Sequence, residues 1–107
     1  MTDYVQVLTT VGSKQEAQRI ADALVEGRLA ACVQVVGPIA STYRWRGKVE
    51  RAQEWQCLAK TEVGRFEEVE AAVRAVHSYD EPEILATPVL AGSPGYLAWI
   101  SASLDEC

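Results

Sequence analysis

Ile39-Ala40-Ser41-Thr42-Tyr43-Arg44-Trp45-Arg46-Gly47-Lys48-Val49-Glu50 is the stretch that decides the fold. Up to Trp45 it alternates, with Ile39, Ser41, Tyr43 and Trp45 on one face of an extended strand and Ala40, Thr42 and Arg44 on the other. Arg46-Gly47 reads as a two-residue hairpin turn, a weaker signal than Asn-Gly. The chain returns through Lys48 to Lys60, with Trp55 and Cys57 on one face and Leu58 on the other. Each arm can run to roughly a dozen residues, against a usual strand of about five or six. A small domain cannot cover such arms with its own helices, and exposed edges of that length aggregate unless something pairs with them. The hairpin by itself therefore predicts an oligomer.

Upstream, Tyr4 to Thr9 is rich in β-branched and aromatic residues and reads as a first strand, broken by Gly12. Ser13-Lys14-Gln15-Glu16 has the form of a capping box, and Ala17, Ile20, Ala21, Leu24 and Val25 follow at helical spacing. Gly27 is the expected left-handed stop. Ala30 to Val36 is a nearly continuous apolar run, which predicts a strand covered on both faces, and Gly37-Pro38 interrupts or bulges it.

Downstream, Gly64 opens a second helix with Glu67 and Glu68 near its positive end and Phe66, Val69, Val73 and Val76 as its apolar stripe. A polar connector from His77 to Pro82 leads to a last main strand, Glu83 to Leu90, which Pro88 places at an edge or breaks. Ser93-Pro94 starts a terminal helix that Tyr96, Leu97, Trp99, Ile100 and Leu104 can pack down. The order is βαββαβ plus a C-terminal helix: an α+β, ferredoxin-like antiparallel sheet with a long protruding hairpin. That fold hosts many activities and does not settle function.

At 107 residues the chain is read as a single domain, residues 1–107. Its formal charge of −5 offers no footprint for nucleic acid. No apolar run approaches a membrane span, and the first residues carry no signal-peptide pattern. Three widely spaced cysteines without a Cys-x-x-Cys pair point to a reducing cytoplasm. The phosphate-loop, dinucleotide, serine-elbow and His-Glu-x-x-His signatures are all missing. With one histidine, a His-rich metal site within one subunit is impossible.

Several residues carry two readings. Cys32 is either a small core hydrophobe or a soft ligand for copper or another thiophilic ion. Cys57 is read as packing, and Cys107, the last residue, can bind metal or oxidise adventitiously. His77 either complements a helix C-terminus or joins Tyr79, Asp80 and Glu83 around a cleft, where acid–base chemistry is also conceivable. Tyr43, Trp45 and Trp55 pack a core or interface, or line a ligand pocket. Lys60 is a paired surface charge or an anion contact.

Leu29-Ala30-Ala31-Cys32-Val33, Tyr43-Arg44-Trp45-Arg46-Gly47, Glu54, Lys60-Thr61, His77-Ser78-Tyr79-Asp80-Glu81-Pro82-Glu83-Ile84 and Tyr96-Leu97-Ala98-Trp99-Ile100 follow in order along the chain. Together they resemble the CutA family of divalent-cation tolerance proteins. Gln34 stands where the family pattern has Asn, Ser78 where it has Pro, Asp80 where it has Glu, and Glu81 where an apolar residue is common. The resemblance implies a compact homotrimer with hairpins wrapped between subunits; the chain is read as a cytoplasmic binding protein and not an enzyme. The resemblance further implies a role in tolerance to copper and other divalent ions, with ligand clefts between subunits. Carried onto this chain, the cleft residues are Tyr43, Trp45, Glu50, Lys60 and Tyr79, with Cys32, His77 and Glu83 as metal ligands from the same or a neighbouring copy. The alternative is a PII-like signalling trimer that binds a small anion or a partner protein, with Lys60 and the hairpin aromatics as its contacts. A hydrolase or isomerase built on His77 and Glu83 ranks third, since no nucleophile–base–orienter set is visible.

Overall fold

A computed structural model describes residues 3–105; Cys107 lies outside them. Among these residues the order is β1 (Tyr4–Val11), α1 (Lys14–Glu26), β2 (Cys32–Trp45), β3 (Lys48–Glu62), a 3₁₀ turn (Val63–Arg65), α2 (Phe66–Val76), β4 (Ile84–Pro88) and α3 (Pro94–Leu104). The strands form one antiparallel sheet ordered β2-β3-β1-β4. This is the ferredoxin-like arrangement with a terminal helix added.

One sheet face is packed and the other is bare. Val5, Val7 and Val11 of β1 share the packed face with Cys57 and Ala59 of β3, against Ala17, Ile20 and Leu24 of α1 and Val69 and Val73 of α2. Residues paired across a ladder share a face. Tyr4, Gln6, Leu8 and Thr10 therefore lie on the opposite face, with their partners Glu62, Lys60, Leu58 and Gln56. Its Tyr4–Glu62 end is fastened to α3: Ser101 bonds Tyr4 Oη at 2.6 Å and donates to Glu62 Oε2 at 2.6 Å.

The hairpin is as long as its alternation predicts, 14 residues in β2 and 15 in β3. Its turn is closed by Trp45 opposite Lys48, with φ of 50° at Arg46 and 81° at Gly47. Positive φ at both central residues makes it a type I′ turn, which matches the twist of the strands even with arginine in the first position. The bulge also forms where expected: Val36 pairs with Gln56 but Ile39 with Glu54, so β2 carries one extra residue across Gly37-Pro38. That residue reverses the parity of β2. Cys32 and Gln34 face the bare side before the bulge; Ile39, Ser41, Tyr43 and Trp45 face it afterwards.

Three local expectations are corrected. The Ala30–Val36 run is not covered on both faces. β2 is an edge strand; Val33 and Val35 pack on the core, whereas Val36 is 42% exposed. Gly27 is not the left-handed residue, having φ of −81°. The chain turns one position later, at Arg28 with φ of 56°. Arg28 N–H donates to Val25 O and Leu29 N–H to Leu24 O, the paired bonds of a Schellman stop. Finally, the capping box is half formed. Ser13 Oγ accepts from Glu16 N–H at 3.1 Å, but the Glu16 carboxylate turns away from the helix start. It reaches instead across to the connector after α2.

Pro88 sits on the edge strand β4, as expected, and β4 stops there.

Candidate functional site

The connector is held by that displaced carboxylate. Glu16 accepts from Ser78 N–H at 2.9 Å and from Ser78 Oγ at 3.0 Å. Beside it the His77 side chain is fully buried, with Nε2 2.9 Å from Thr10 O and Nδ1 3.1 Å from Tyr79 N. A carbonyl only accepts and an amide N–H only donates, so the ring carries its proton on Nε2 and offers Nδ1 as acceptor. Nδ1 stands 3.6 Å from Glu16 Oε2, too far for a hydrogen bond. Both nitrogens are engaged within this chain. In this structure His77 fastens the connector to the end of β1.

This anchoring sets Tyr79, whose ring lies 4.8 Å from His77 centroid to centroid. Its hydroxyl donates to Glu54 Oε2 at 2.7 Å. Burial, then the hydrogen bond to Glu54 and its negative charge, hold the Tyr79 phenol well above the usual tyrosine range. Thr10 Oγ1 donates to Glu83 Oε1 at 3.3 Å, which ties the start of β4 to the same place.

Between connector and hairpin lies a cleft of about 680 Å³. Tyr43, Trp45 and Tyr79 are its aromatic walls, and Glu54, Asp80 and Glu83 give it carboxylates. Glu81 also lines it, but is paired with Arg74 at 3.3 Å. The volume suits a small molecule, being in the usual range of about 300–1,000 Å³. The parity reversal at the bulge is what turns Tyr43 and Trp45 toward this space.

The expected site residues therefore fall into separate groups. Tyr43, Trp45, Tyr79 and Glu83 line the cleft, and His77 braces it from below. Glu50, opposite Tyr43 near the hairpin tip, is exposed and does not line it. Cys32 and Lys60 are cross-strand neighbours on the bare sheet face. There Lys60 Nζ donates to Gln6 Oε1 at 2.6 Å and Gln34 Oε1 at 3.0 Å. Thr10 pairs with Gln56, four residues along β3 from Lys60. At about 3.4 Å per residue and 4.8 Å per strand, Cys32 and the Glu83 region are separated by roughly 15 Å of backbone. One ion with bonds of about 2–2.5 Å cannot join them within a single chain. Among the described residues no group of three His, Cys, Asp or Glu side chains converges to hold a metal.

Cys57 is a core residue, as expected. Its thiol donates to Ala17 O at 3.5 Å, and burial, with the Glu16 charge second, pushes it up to about 11. The sequence pattern points to no role for Thr10 or Ser41, and Ser13-x-x-Glu16 reads as a local cap. In the sequence Glu54 stands out only as part of a motif. Its place in the cleft follows from counting register across the bulge.

The family profile described as "CutA1 divalent ion tolerance protein" matches residues 5–103. A "Divalent-cation tolerance protein CutA" from Thermus thermophilus is 47% identical over 94 residues, covering 88% of this chain and 91% of its own length. One from Pectobacterium atrosepticum is 39% identical over 104 residues, covering 97% and 94%. The crystal structure of CutA from Xylella fastidiosa superposes with a TM-score of 0.93 at 39% identity, covering 96% of this chain and 99% of that one.

Proposed function

The chain belongs to the CutA1 divalent ion tolerance family, and from that premise we propose that it acts as a homotrimeric binding protein in divalent-cation tolerance, not as a catalyst. The observation that carries this reading is the uncovered hairpin: every residue from Thr42 to Arg51 is exposed. A row of leucines supports it. Leu85, Leu8 and Leu58 are direct cross-strand neighbours on the face away from α1 and α2, and Leu85 is 55% exposed. An uncovered sheet face with apolar side chains and a long exposed hairpin call for a partner, and identical copies supply the simplest one. Light scattering should give three times the chain mass of 11.7 kDa. Leu85→Arg, which places a charge where the single chain leaves the side chain open, should shift that mass toward one chain. A wild-type protein that stays monomeric would overturn the reading.

Copper is the favoured ion, because Cys32 is half-buried on the bare face, outside the core cluster. Its softness selects thiophilic ions, and since Glu83 is out of reach its remaining ligands come from a neighbouring copy. The setting is the reducing cytoplasm, in which such a thiol stays free.

A further inference from the structure

No further inference is drawn: the strongest candidate, the exposed aromatic pair Tyr96 and Trp99 on α3 with ring centroids 5.4 Å apart, is an unpartnered apolar patch, and nothing in the structure shows what covers it.

Discussion

Gly37→Ala should destabilise the protein by jamming the bulge that aims the hairpin aromatics. A Cβ built on Gly37 falls 2.5 Å from Trp55 Cδ1, 2.8 Å from Cγ and 3.0 Å from Nε1. Carbon atoms rest at about 3.5–4.0 Å, so the indole must retreat by roughly 1 Å. It has little room to do so, because Trp55 packs against the core cluster. Overpacking of this kind costs about 1–3 kcal/mol. At about 4–8 °C per kcal/mol for a domain of this size, the melting temperature should fall by at least about 4 °C. Urea and thermal unfolding at matched protein concentration measure both quantities, since association shifts apparent stability. The double variant isolates the cause: once Trp55→Leu has removed the ring, adding Gly37→Ala should cost less than about 0.5 kcal/mol. A single Gly37→Ala variant as stable as wild type, or a penalty that persists on the Trp55→Leu background, would refute the steric reasoning.

Other perturbations follow from the same contacts. Glu16→Ala leaves the Ser78 N–H and hydroxyl without their acceptor, at a cost of about 1–3 kcal/mol; hydrogen exchange at the Ser78 amide should accelerate, and unchanged protection would contradict its role as the brace. The Cys57 thiol lies at about 11 in the fold against an ordinary 9.0, so its stabilising contribution is complete below about pH 9 and is lost as pH rises through 11. Wild type should therefore lose on the order of 2 kcal/mol more than Cys57→Ala between pH 8 and pH 11 in urea titrations. At neutral pH, iodoacetamide should alkylate Cys57 only on unfolding, because its thiol is buried and held protonated; modification in the native protein, read by mass spectrometry, would contradict that.

Elements with a strong local signal were legible in the sequence. The hairpin alternation, the Arg46-Gly47 turn, the Gly37-Pro38 bulge and the Pro88 edge all rest on rules that act within a few residues. Where a residue's role is set by a distant partner, the sequence misled or said nothing. Ser13-x-x-Glu16 looks like a closed local box, but Ser78 competes successfully for the carboxylate from 62 residues away. The apolar Ala30–Val36 run reads as doubly covered, because an edge strand with an exposed face and a core strand can share one composition. The burial and tautomer that engage His77 depend on Thr10 and Tyr79 contacts no spacing reveals. Glu54 could be placed in the cleft only by following the ladder through the bulge.

The copper-class site proposed at Cys32 needs ligands from a second copy. Its most direct test is a copper(I) titration of the reduced protein, wild type beside Cys32→Ser, with Cys107→Ser in both. Tight, stoichiometric binding that disappears with Cys32→Ser is the expected result. Binding that is weak, or indifferent to Cys32, would contradict it.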